Sequence, residues 1–128
     1  MKLTRFENPD AVEHLVFKVK PELVEKFIEL DHEIWTKELE KCPALVSKEV
    51  WVAKDGELHS IIYWSSYEEW KAIDHDALSE TQKRFDDAFG VENYEFVAAH
   101  HDVNQCYKIT EFMVRRENYE HINNYGFC

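Results

Sequence analysis

Glycine, proline and cysteine are each scarce in this chain, with three of each in 128 residues, and basic side chains are outnumbered by acidic ones, 15 to 26. Three scattered glycines make no glycine-rich phosphate loop, and no G-x-S-x-G elbow occurs, so nucleotide cofactors and serine hydrolase chemistry have no support. Cys42, Cys106 and Cys128 are odd in number, far apart and never in CxxC spacing, and they read as reduced structural thiols. The net charge of −11 is spread along the chain. Such a field repels phosphate backbones and anionic lipid, which argues against nucleic acid and membranes as partners; Arg115-Arg116 alone makes no basic patch. No apolar run approaches the length that spans a bilayer, and MKLTRFENPD lacks the apolar stretch of a secretory signal. A soluble, cytoplasmic protein is expected.

What the chain does have is apolar and aromatic side chains, 45% and 14% of the residues, ample for the core of one domain. Residues 12–19 alternate as a strand, with Leu15, Phe17 and Val19 on one side and Val12, His14, Val16 and Lys18 on the other. Pro21 suits the first turn of a helix, and the spacing predicts that helix as far as Lys41, where Cys42-Pro43 stops it. Its apolar arc contains Phe27, Ile28, Ile34 and Trp35. Asp31 sits near the centre of that arc, with Glu38 almost in line seven residues on. A carboxylate buried there needs a partner or a proton.

The stretch VSKEVWVAKDGELHSIIYWSSYEEW, residues 46–70, reads as a hairpin about Asp55-Gly56. A two-residue loop would pair Lys54 with Glu57, Trp51 with Ser60, Glu49 with Ile62 and Ser47 with Trp64. Ser47, Glu49, Trp51, Leu58, Ser60, Ile62 and Trp64 would then share one face, and Lys48, Val50, Val52, His59, Ile61 and Tyr63 the other. Neither face is polar enough for water, so both sides of this sheet call for cover. Beyond it, Ser66 and Glu69 fit a capping box, a short helix runs to about Ala72 and a longer one from about Asp76 to Gly90. Residues 94–99 fit a short strand or a helical turn, 105–114 a last strand, and 115–128 a tail that follows a domain of residues 1–114.

Strand, helix, two-stranded hairpin, helix, strand is the order of a ferredoxin-like βαββαβ domain, an α+β fold with a four-stranded antiparallel sheet and its helices on one face. Covering the other face by a second copy through a two-fold axis gives a homodimer. This order, together with Asp31, Ile34-Trp35-Thr36, Lys48-Glu49-Val50-Trp51 and Trp64 with Glu69-Trp70-Lys71, resembles the dimeric α/β-barrel superfamily and a small family of about this length within it. The superfamily includes antibiotic-biosynthesis-type and heme-degrading monooxygenases. The resemblance implies pairing as a dimeric α/β barrel and a ligand pocket against the sheet. Heme-degrading members use an asparagine on the first strand, a tryptophan early in the second helix and a histidine ten residues beyond it. Only Trp70 matches, because His14 and Glu80 occupy the other two places.

The inward candidates follow. His14, Asp31 and Glu49 are the acid/base candidates, since a carboxylate and an imidazole in a dry pocket shift toward neutral pKa values. Trp35, Trp51, Trp64 and Trp70 are the candidate walls for a small apolar or aromatic ligand. The competing reading pairs Asp31 and Glu49 with Lys48, His14 or an indole N–H as structural contacts only. No metal site and no cofactor is expected, since the histidines lack ligand spacing.

Overall fold

Asp55-Gly56 does turn the chain, but in a three-residue loop. In the computed structural model, which describes residues 11–99, the Ala53 N–H donates to the Glu57 carbonyl at 2.8 Å, leaving Lys54, Asp55 and Gly56 as the loop. Asp55 and Gly56 both take left-handed backbone, at φ 61° and 79°. A Cβ on Gly56 would lie 1.9 Å from the carbonyl oxygen of Val19, so only glycine lets the loop seat against the end of the first strand.

The extra loop residue slips the hairpin by one. Strand β2 (Leu45–Val52) pairs with β3 (Glu57–Trp64) so that Val52 opposes Leu58, Trp51 opposes His59, Val50 opposes Ser60 and Lys48 opposes Ile62. The expected pairs of Trp51 with Ser60, Glu49 with Ile62 and Ser47 with Trp64 are therefore not made. Because side chains alternate, a one-residue slip exchanges the faces of β2. Lys48, Val50 and Val52 join Leu58, Ser60, Ile62 and Trp64, whereas Glu49 and Trp51 join His59 and Ile61. A bulge at Val46 then brings Leu45 opposite Trp64.

Strand β1 (Val12–Val19) lies between β3 and β4 (Tyr94–Ala99), giving the antiparallel order β2-β3-β1-β4 of a ferredoxin-like sheet. Residues 94–99 are thus the strand beside β1. Residues 105–114, expected to be the last strand, lie outside the described residues, as do the boundary at 114 and the tail 115–128.

The first helical stretch is continuous but not uniform. A 3₁₀ turn at Pro21–Leu23 leads into α1 (Val24–Leu30), a π-helical turn at Asp31–Thr36 and a last turn, α2 (Lys37–Leu39). The wider π turn breaks the expected alignment of Asp31 with Glu38, since seven residues no longer make two whole turns. Glu38 instead meets Lys41 at 3.0 Å and Arg84 at 3.6 Å on the outside.

Helix α3 (Tyr67–Lys71) is capped by Ser66, whose hydroxyl accepts the Glu69 N–H at 3.1 Å. The Glu69 carboxylate does not complete the expected box; it takes the hydroxyl of Ser65. Helix α4 (His75–Phe89) starts at Asp74, whose carboxylate accepts the Asp76 N–H at 2.9 Å, and ends at Gly90 with φ 97°. Phe85 and Phe89 on α4 pack edge to face against Phe27 of α1, with centroids 5.1 and 5.4 Å away.

The core has two halves. One gathers Leu39, Ile62, Trp64 and Trp70; the other gathers Val19, Phe27, Leu30, Leu58, Phe85 and Phe89. Trp35 touches both. Among the described residues no helix is long and apolar enough to cross a membrane.

Candidate functional site

The two halves of the core do not close on each other. Between them lies a cavity of about 260 Å³ with the sheet as floor and the helices as roof. Leu15, Phe17, Ile62 and Trp64 rise from the floor, and Phe27, Trp35 and Leu39 descend from the first helical stretch. Trp70, Ile73, Leu78 and Phe85 close the remaining side. Trp64 and Trp70 lie parallel, with centroids 6.2 Å apart and planes within 7°, and the Lys71 ammonium sits 4.2 Å from the Trp70 ring centre on a cation–π contact.

Into this apolar space the fold sets one buried ion pair. The Lys48 ammonium donates to Asp31 Oδ2 and to Thr36 Oγ1, both at 2.7 Å, and its side chain is only 7% exposed. Asp31 begins the π turn and Thr36 ends it, so the turn wraps the ammonium. Such turns recur where a helix must aim side chains at a site. Glu13 on β1 accepts the Trp64 indole N–H at 3.2 Å, which fixes that ring in the wall.

At the far end, Tyr94 donates to Asp86 Oδ1 at 2.5 Å and accepts from the Gln82 amide at 2.8 Å. Burial first, and then the Asp86 carboxylate that its hydroxyl faces, push Tyr94 up to about 12. It is therefore a fixed neutral hydroxyl. Cys42, packed under the other half of the core, is also raised, by burial and by the nearby Glu38 charge, so it is a poor nucleophile. Among the described residues no three His, Cys, Asp or Glu side chains converge as a metal would require.

The fold recurs in solved structures. A protein of Bacteroides thetaiotaomicron provisionally named an antibiotic biosynthesis monooxygenase superimposes with a TM-score of 0.56 at 10% identity, over 82% of this chain and 97% of its own. MupZ of Pseudomonas fluorescens does so with a TM-score of 0.53 at 13% identity, over 72% and 69%. The chain shares the ferredoxin-like α+β fold of these proteins. At this identity the likeness is one of fold. No protein-family model matches the chain, and no curated protein does.

Within this ferredoxin-like fold the sequence candidates separate into two groups. Asp31, Trp35, Trp64 and Trp70 all line the cavity. His14, Glu49 and Trp51 lie across the sheet, so the trio of His14, Asp31 and Glu49 does not converge. For Glu49 and Trp51 the cause is the hairpin slip, and the Trp51 indole N–H donates to Glu49 Oε1 at 3.3 Å. His14 follows the alternation of β1, which opposes it to Ile61. There it hydrogen-bonds His59, Nε2 to Nδ1 at 2.9 Å, and His59 Nε2 in turn meets Glu57 Oε1 at 2.8 Å.

The competing expectation, that Asp31 pairs with Lys48, matches the geometry. Sequence reasoning passed over Ser60, Glu13, Gln82 and Tyr94 as cavity residues. The pattern of β1 already put Glu13 with Leu15 and Phe17, and that signal was sufficient for Glu13. For Ser60 the signal was the predicted face shared with Ile62 and Trp64.

Proposed function

We propose that this protein is a homodimeric, cytoplasmic small-molecule-binding member of the α/β-barrel fold, acting as a cofactor-independent monooxygenase on a flat, largely apolar substrate held between sheet and helices. The observation that carries the reading is the buried Asp31–Lys48 pair in a cavity lined mostly by aromatic and aliphatic side chains. A few convergent polar groups in an apolar concavity are the ordinary make-up of a ligand site. Asp31 takes a proton from an acidic C–H of the substrate, and Lys48 stabilises the anion that forms. That electron-rich anion reduces dioxygen directly; one oxygen atom becomes the product carbonyl and the other leaves as water with the two hydrogens of the original methylene. Dimerisation uses the sheet face away from the helices, where Trp51 is 51% exposed beside the His14–His59 pair.

A second reading has its own support. Lys48 neutralises Asp31, and Thr36 takes a second ammonium hydrogen, as a purely structural pair would require. Native mass spectrometry of protein purified from its own source tests both. A dimer carrying a small aromatic molecule that is lost in Asp31→Asn supports the enzyme reading. A dimer that retains nothing, together with an Asp31→Asn variant that is destabilised and insensitive to every aromatic additive, supports the structural one. A stable monomer removes the dimer from either.

A further inference from the structure

Among the described residues, two hydrogen-bond donors in the cavity have no acceptor. Ser60 on β3 is 8% exposed and lines the cavity, yet among the described residues its hydroxyl has no hydrogen-bond partner. Lys48 spends two of its three ammonium hydrogens on Asp31 and Thr36, and among the described residues nothing takes the third. The register puts the two residues side by side. Lys48 opposes Ile62 and Val50 opposes Ser60, so Lys48 and Ser60 are diagonal neighbours on the same face of the β2–β3 hairpin. An unpaired buried donor is costly, and proteins rarely leave one idle.

Size sets the other limit. An apolar cavity of about 150 Å³ takes one benzene ring, so 260 Å³ accommodates roughly two fused rings. From these two constraints, and resting on the ligand-site reading above, we infer that Ser60 and the third Lys48 hydrogen form an oxygen-acceptor subsite, and that the ligand is a two-ring aromatic carrying one phenolic or carbonyl oxygen at that position. Ser60 is a specificity-determining residue, which selects an oxygenated ring system over the bare hydrocarbon. Lys48 then serves three partners: Asp31 and Thr36 hold it in place, and the ligand oxygen completes its shell.

The test compares 2-naphthol with naphthalene as probes on the full chain, following tryptophan fluorescence quenching in wild type and in Ser60→Ala. One added neutral hydrogen bond is worth about five- to tenfold in affinity. The wild-type preference for 2-naphthol should therefore shrink by about that factor in Ser60→Ala, with naphthalene affinity unchanged within twofold. Ser60→Ala should also melt no lower than wild type, since it removes a hydroxyl that has no partner among the described residues; a lower melting point would mean the hydroxyl has a structural role and would overturn the inference. An unchanged preference in Ser60→Ala, with both probes bound, overturns the subsite and leaves the ligand cavity standing. Binding of neither probe overturns both.

Discussion

The Asp31–Lys48 pair offers the sharpest quantitative check on the cavity. Both side chains are largely buried, at 15% and 7% exposure, and are held at 2.7 Å. Removing one partner strands the other charge in an apolar space, which costs about 3 kcal/mol when, as here, a little water still reaches the site. Asp31→Leu strands the ammonium and Lys48→Met strands the carboxylate, and the adjoining cavity accepts the extra bulk of the leucine. If the two changes were independent, the double variant would lose about 6 kcal/mol; replacing the pair together with apolar groups should instead return it to within about 1 kcal/mol of wild type. Equilibrium urea unfolding of all four proteins measures this coupling, at one fixed protomer concentration so that the proposed self-association enters all four equally. Additive losses would refute the reasoning. So would single losses below about 1 kcal/mol, the range of a solvent-screened surface pair.

Other consequences are simpler to read. Gly56→Ala places a methyl group against the Val19 carbonyl and forces a left-handed backbone on alanine, so a loss of at least about 2 kcal/mol is expected in the same unfolding assay; a neutral result would mean that the loop is not seated on β1. Tyr94 is raised from 10 to about 12 in the folded chain. The folded state therefore holds that proton more tightly, and the stabilisation present below pH 10 is lost as the pH rises through 12. Unfolding at a series of alkaline pH values should show this decline, and Tyr94→Phe should flatten it; an equal slope in both proteins would contradict the assignment. Trp51→Glu puts a charge on the sheet face away from the helices and should convert a dimer to monomer in sedimentation without loss of helix signal. A dimer unaffected by it would be built on another surface.

Much of this architecture was legible from local chemistry. The first helix with Pro21 at its start, the Ser66 cap, the stop at Gly90 and the order of strands and helices all depend on residues close in sequence, and they suffice for the ferredoxin-like class. Asp31 stood out as a charge on an apolar arc, and the tryptophans at 35, 64 and 70 as walls, because helical and strand periodicity say which side a residue faces. What local chemistry left open was pairing. Strand β2 carries apolar residues on both faces, so its pattern is nearly as content in one register as in the next. The choice fell to a single loop residue, and that loop is shaped by the fit of Gly56 against Val19, 37 positions earlier in the chain. Residues 94–99 likewise became the strand beside β1 because the turn after Gly90 delivers them to its open edge. The sequence alone therefore determined the class of fold and one half of the site's charge. Tertiary structure decided that Lys48 and not Glu49 faces Asp31, because a one-residue slip between two strands reverses every side chain on one of them.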